Sequence, residues 1–512
     1  MKSAVVWFLA FVVAGTQAMH GRSCASDTLT VRVEPRVLYQ PIDGFGASDA
    51  WRIQFVGKYW PEEKQRRIAD LLFSRRLDEN GQPVGIGLSL WRFNLSAGTA
   101  EQGDASGIGN AWRRGECFLN ADGTYDWSKL EGQQRFLQLA KERGVERFLL
   151  FCNAPPVHLS ENGKGYADPD AKRMNLPQDR IDDYARYIAE VLAHFARRRM
   201  PFDYVSPINE PQWDWDEGRQ EGTPATNADI YALTVALSHE LSRRRLTTRI
   251  VVGEAGTIEY VFKRMGSDGT SNGRDDQARA FFDPRSPYYL GRLPNVARIL
   301  SAHDYFTVWP LERQVALRRA LREALDAFRP PVDYWMTEYC ILEENDEIGS
   351  GRRRDLSMDT ALYVARIIHN DLTLCRARSW QWWTAVTQCN YKDGLIYLDD
   401  GSEGDTGRMG PRVESLRRDG AVRTSKLLWT LGNYARFVRP GMIRIGCEIA
   451  PEQSIADGVL ASAYRRSRPA QTVVVLTNLS RSRHKVRITG LTASSRVVPI
   501  VRMYTTDAAS DL

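Results

Sequence analysis

Short apolar runs alternate with amphipathic stretches along most of the chain. Residues 61–75 carry Ile68, Leu71 and Leu72 at helical spacing, and residues 130–143, 182–197, 228–244, 314–328 and 358–374 repeat that pattern. Between them lie runs such as Arg147-Phe148-Leu149-Leu150-Phe151-Cys152 and Arg249-Ile250-Val251-Val252-Gly253-Glu254, apolar enough for strands buried on both faces. Counted from Ile42, eight such runs occur, at Ile42, Ile86, Arg147, Tyr204, Arg249, Ile299, Asp333 and Ser379. Eight alternating strand and helix units predict an α/β fold, a (β/α)8 TIM barrel over residues 40–430. Beyond residue 430 the period changes. Residues 459–464, 472–476, 485–488 and 497–504 are short β runs separated by turns, which predicts a β-sandwich side domain. Leu29, Val31 and Val33 alternate in a strand that precedes the barrel and needs a partner, so residues 28–39 and 431–512 are expected to build one side domain from both chain termini.

The first residues follow a different logic. Met1-Lys2 precedes an uncharged apolar run from Ala4 to Ala14, and Thr16-Gln17-Ala18 has the small residues of a cleavage site. Residues 1–18 therefore read as a signal peptide, and the mature chain is expected to be secreted, periplasmic or held at the cell surface. Cys24 lies just downstream, so a lipid anchor there is the alternative, although Gly21-Arg22-Ser23 matches a lipidation motif poorly. No transmembrane segment is expected, because no other stretch is apolar over a bilayer's width.

Composition narrows the chemistry. In 512 residues, 69 basic and 63 acidic side chains leave a net charge of +6, spread along the chain. The clusters Arg197-Arg198-Arg199 and Arg243-Arg244-Arg245 fall at predicted helix ends, where cations meet the negative end of the dipole, so nucleic acid is not an expected partner. The seven cysteines contain no Cys-x-x-Cys pair, and the chain has no His-Glu-x-x-His. Neither a metal nor another cofactor is expected, although His158, His303, Cys152, Cys340 and Cys389 all fall near strand ends.

Two strand ends carry the candidate chemistry. Asp203-Tyr204-Val205-Ser206-Pro207-Ile208-Asn209-Glu210 runs into Pro211, which cannot extend a ladder, so the strand is expected to stop at Glu210. Val332-Asp333-Tyr334-Trp335-Met336-Thr337 runs into Glu338 in the same way. The C-terminal ends of barrel strands form the catalytic face. Two glutamates there suit a retaining glycosidase, whose carboxyls lie roughly 5–5.5 Å apart.

The order of motifs resembles glycoside hydrolase family 30, and most closely its endo-β-1,6-galactanase-like branch. The resemblance rests on Asp43-Gly44-Phe45-Gly46, Trp91-Arg92-Phe93-Asn94, Asn153-Ala154-Pro155-Pro156, Ser206-Pro207-Ile208-Asn209-Glu210-Pro211, Ala302-His303-Asp304-Tyr305, Trp335-Met336-Thr337-Glu338 and Gln381-Trp382-Trp383. It implies that Glu210 is the acid/base and Glu338 the nucleophile. Many relatives carry a tryptophan after the Pro-Pro pair where this chain has Val157-His158. Beside the resemblance, Arg92 is the cation expected to hold Glu338 ionised, Asn209 a donor to a sugar 2-hydroxyl, and Tyr305 a hydrogen-bond donor to the nucleophile. His303 and Asp43 are further substrate-binding candidates. Trp91, Trp213 and Trp382 are expected to stack on sugar faces, with Trp383 the weakest candidate because alternation sets it opposite Trp382. The expected substrate is a polysaccharide or oligosaccharide. β-1,6-Galactan comes first, with xylanase, β-1,6-glucanase or β-fucosidase activity as alternatives. A non-catalytic glycan-binding protein on a barrel scaffold is the reading from another class.

Overall fold

The computed structural model describes residues 6–13, 28–267, 269–402, 407–491 and 500–512. Eight parallel strands form its central barrel: Gly44–Ser48, Leu90–Leu95, Arg147–Cys152, Tyr204–Ser206, Arg249–Ala255, Val296–His303, Asp333–Glu338 and Ser379–Thr387. The eighth strand closes it by pairing with the first, Trp380 opposite Phe45 and Gln381 opposite Gly46. These are the eight units expected from the apolar runs.

Period-two alternation sorts the strand residues into two layers. Leu90, Leu149, Val251, Ile299 and Trp335 form a small cluster of their own inside the barrel. Their sequence neighbours Trp91, Leu150, Val252, Leu300 and Met336 belong to the large core under the surrounding helices. Trp91 therefore faces outward and packs edge-on against Phe73, with ring centroids 4.8 Å apart. In the eighth strand Trp380 and Trp382 join the same outer core, and Trp383 turns inward beside Trp51 and Phe151.

The side domain is a seven-stranded curled sheet. Leu29–Pro41 pairs antiparallel with Ile443–Ala450 and parallel with Val486–Thr489, so the N-terminal strand does join the C-terminal ones. One face of the sheet encloses Val31, Val33, Ile445, Ala463, Val474 and Leu476. Residues of the opposite face, among them Tyr464, Val473 and Val475, merge with the barrel's outer core. Arg436, just past the helix Lys426–Ala435, donates to the carbonyls of Gly85 at 2.8 Å and Ser74 at 3.1 Å. The apolar run expected as the heart of a signal peptide lies, over Val6–Val13, parallel between Gln471–Asn478 and Ile500–Thr506. The expected cleavage point at Ala18, and Cys24, lie outside the described residues. Among the described residues no helix is long and apolar enough to cross a membrane, and no cysteine is in a disulfide.

Val31 is fully buried inside the curl of the side sheet. Val31→Asp is expected to destabilise the protein by about 3 kcal/mol or more, because the carboxylate would have no partner there. Calorimetric melting would check this, and an unchanged melting temperature would contradict the packing described.

Candidate active site

The site is assembled at the C-terminal rim of the barrel. Because Trp91 faces outward, Arg92 must point in, and it is fully buried. Its guanidinium lies over the Phe151 ring, 3.7 Å from the centroid. It donates to Glu338, to Asn209 Oδ1 at 2.8 Å and to Glu254 Oε2 at 2.9 Å. Glu338, the last residue of the seventh strand, also accepts from Tyr305 Oη at 3.1 Å.

Glu210 reaches the same place by a different route. The fourth strand stops at Ser206, earlier than expected, and the chain then turns. Glu210 itself adopts a φ of +46°, a left-handed conformation that costs a non-glycine residue energy and that the surroundings must hold. Two bonds hold it: its N–H donates to the Glu254 carbonyl at 2.8 Å, and Trp215 Nε1 donates to its carbonyl at 3.0 Å. Gly256 is required beside it, since a Cβ there would lie 2.9 Å from Glu210 Oε1 and 2.6 Å from Trp213 Nε1.

His303 links the carboxylates. Its Nδ1 lies 3.0 Å from Glu210 Oε1 and its Nε2 3.0 Å from Glu254 Oε2, with Glu338 Oε1 at 3.7 Å. Burial opposes a charge on this ring, but the Glu338 carboxylate and the bonds to Glu210 and Glu254 outweigh it and raise its pKa to about 10. Glu254 is fully buried, which alone would raise its pKa. Arg92, His303 and Ser206, whose Oγ donates at 2.7 Å, instead lower it to about 2. Burial pushes Glu338 upward, opposed by His303 and Arg92 and assisted by the nearby Glu210. The cluster thus sets two cations, Arg92 and His303, against three carboxyl groups, so one proton on a carboxyl makes it neutral. Glu254 and Glu338 both contact Arg92, whereas Glu210 contacts only His303.

One atom each of Glu210, His303 and Glu338 lie within 4.8 Å of one another. Three donors so close could gather a metal ion, but His303 would first have to give up the Nδ1 proton that faces Glu210. His158 and the cysteines do not join this group among the described residues.

The glutamates open into a cavity of about 630 Å³, walled by Trp213, Trp215, Tyr305, Phe306, Leu342, Trp383 and the segment from Asp214 to Gln220. Asn209, whose Oδ1 is taken by Arg92, also lines it. Trp91 and Trp382 do not. Both are fully buried in the outer core, Trp382 with its Nε1 on the Asp393 carbonyl at 2.8 Å. The inward residue of that strand is Trp383, and Trp91 and Arg92, being adjacent, could not both face the site. Asp43 precedes the first strand and lies at the opposite end of the barrel, bonded to Trp335 Nε1 and Arg378 Nη2, both at 2.8 Å. Glu254 was not anticipated, although its apolar run into a terminal glutamate has the same form as that of Glu338.

His303 gives the site a signature in stability. Its folded pKa of about 10 lies above the ordinary value of 6.5. The stabilisation from its charge is therefore complete below pH 6.5 and is lost as pH rises towards 10. The melting-temperature gap between the wild type and His303→Phe is expected to shrink across that window, and a gap that widens with pH would contradict a charged His303.

The family described as O-glycosyl hydrolase family 30 matches residues 28–397. A conserved exported protein from Bacteroides fragilis is 37% identical and superposes with a TM-score of 0.84, covering 91% of this chain and 92% of that one. The catalytic domain of the family 30 xylanase C from Talaromyces cellulolyticus shares the fold at 17% identity, with a TM-score of 0.57 over 87% and 86% of the two chains. An endo-β-1,6-galactanase from Hypocrea rufa is 26% identical over 263 residues, which is 47% of this chain and about half, 52%, of that enzyme's length. The match to the family takes in Arg92, Glu210, Glu254, His303 and Glu338, and the chain belongs to glycoside hydrolase family 30.

Proposed function

We propose that the protein is an exported retaining β-glycosidase that cleaves a polysaccharide by double displacement, with β-1,6-galactan as the first substrate. The observation that carries the retaining mechanism is the close approach of Glu210 and Glu338, whose nearest oxygens fall within the 4.8 Å group around His303. Inverting enzymes hold their carboxyls roughly 6.5–9.5 Å apart to admit a water molecule, and retaining ones roughly 5–5.5 Å.

In this reading Glu338 attacks the anomeric carbon, and Glu210 gives its proton to the leaving glycosidic oxygen. A glycosyl ester on Glu338 results. Glu210, now a carboxylate, takes a proton from water, and the water oxygen displaces Glu338 with the anomeric configuration restored. The division is supported by Arg92, which pairs with Glu338 and not with Glu210 and so favours the charged form of Glu338. Tyr305 fixes the second oxygen of Glu338, and Asn209 has its amide N–H groups left for a sugar hydroxyl. Trp213 and Trp383 are the cavity tryptophans available to stack on sugar rings.

Support for β-1,6-galactan comes from the motif pattern and from the partial match to the Hypocrea rufa enzyme. Export is supported by the apolar N-terminus followed by Thr16-Gln17-Ala18, and by the likeness to an exported protein. Cleavage after Ala18 would release the exported chain, and a lipid anchor at Cys24 is the alternative to it.

The two glutamates should fail differently. Glu338→Ala is expected to lose turnover of every substrate. Glu210→Ala should still glycosylate itself from an aryl glycoside with a good leaving group, then stall by about 10²–10⁴-fold for want of a base. Azide, which needs no deprotonation, should restore turnover and give a β-glycosyl azide. Product NMR showing inversion, or rescue of Glu338→Ala to a β-azide, would overturn the assignment.

A further inference from the structure

The cavity holds a charge that the two-glutamate chemistry does not use. Two arginines line its wall, Arg113 and Arg219. Arg219 is exposed and paired with Glu217 at 2.5 Å. Arg113 is half-buried, its guanidinium makes no hydrogen bond or ion pair among the described residues, and its Nε is buried without an acceptor. It lies 5.7 Å from the centroid of the Trp51 ring, which Arg52 also approaches at 5.5 Å. Burial, Arg52 and Arg219 all disfavour the charge on Arg113, with only partial relief from Cys389 and Asp393.

The neighbouring acids are engaged elsewhere or out of range. Asp393 sits 3.8 Å from Arg52 and accepts from Thr387 Oγ1 at 3.1 Å. Asp214 is held by Lys172 at 2.7 Å and Arg274 at 2.8 Å. Asp216 shares the cavity wall but makes no ion pair with Arg113. A half-buried cation without a counterion is costly, and proteins otherwise pair such groups.

Arg113 is also held in place. It ends the short turn Ala111–Arg113, which Asn110 caps by accepting from the Trp112 N–H at 3.1 Å. Trp112 is buried against Phe55, with ring centroids 4.5 Å apart. Trp51, under the guanidinium, meets Trp383 edge-on at 5.4 Å, and Trp383 shares the cavity with Glu338. The cation is therefore anchored on the Trp383 side of the cleft.

We propose that Arg113 is the recognition group for a negatively charged substituent on the glycan, so that the preferred substrate is an acidic polysaccharide. This rests on the reading that the cavity binds a glycan. The planar fork of arginine can donate two parallel N–H bonds to a uronic-acid carboxylate or to a sulfate half-ester. A neutral sugar hydroxyl could accept from the same N–H groups but would leave the charge uncompensated.

The test uses the purified full chain and matched oligosaccharides: uronic-acid-bearing β-1,6-galacto-oligosaccharides against their carboxyl-reduced forms, and sulfated against desulfated ones. For the anion that Arg113 recognises, kcat/KM should favour the charged member of the pair by about tenfold or more. In Arg113→Ala that ratio should fall to near one, and Arg113→Lys should keep part of it. The carboxylate and sulfate arms identify which anion is meant. A wild-type preference for the neutral member of both pairs, or a preference that survives Arg113→Ala, overturns the proposal. If none of these compounds is hydrolysed, the galactanase reading fails. The proposal then stands or falls on binding, measured by titrating Glu338→Gln with free glucuronate and glucose 6-sulfate against glucose. No preference for either anion over glucose, or one unaffected by adding Arg113→Ala, overturns it.

Discussion

The buried guanidinium of Arg92 is the constraint on which the site depends. It is fully removed from water, and it is tolerated there because Glu338, Asn209 and Glu254 all accept from it. Removing such a cation would strand two buried carboxylates, and breaking buried pairs of this kind costs roughly 3–5 kcal/mol. Its position also explains why the glutamates come from separate strands. The second strand supplies the cation, the seventh supplies Glu338, and the fifth supplies Glu254, which in turn fixes His303 on the sixth. The turn after the fourth strand brings Glu210 to the free side of His303. The three carboxyls are thereby made unequal by their surroundings, although they are chemically alike.

The barrel was legible because apolar strand runs and amphipathic helices differ in period, and eight alternations leave few architectures. Glu338 was legible for the same reason, as a charge that ends an apolar run. What was missed turns on phase and on which end of a strand is meant. Alternation correctly sets Trp382 opposite Trp383, but only packing decides which one faces the helices, and it is Trp382 rather than Trp383. Trp91 fails by the same rule once Arg92 is placed inside. Asp43 sits among glycines before a strand, and nothing local marks that end as the floor of the barrel.

Other features lie beyond the reach of local pattern. The positive φ of Glu210 and its short strand depend on Glu254 and Trp215, which are distant in sequence or in a loop. The pairing of Leu29–Pro41 with Ile443–Ala450 could be inferred only because an amphipathic strand cannot stand alone. The cavity wall from Trp213 to Gln220, with Phe306 and Arg113, comes from loops. Loops are where the family's common barrel is fitted to one glycan or another.

The most direct measurement is to trap the covalent intermediate. An activated 2-deoxy-2-fluoro-β-glycoside of the sugar that the enzyme hydrolyses should inactivate it, because the fluorine slows release more than attack. Peptide mapping by mass spectrometry should then find a single glycosyl ester, on Glu338. An ester on Glu210 or Glu254, or rapid hydrolysis with inversion and no adduct, would contradict the division of labour proposed for Glu210 and Glu338.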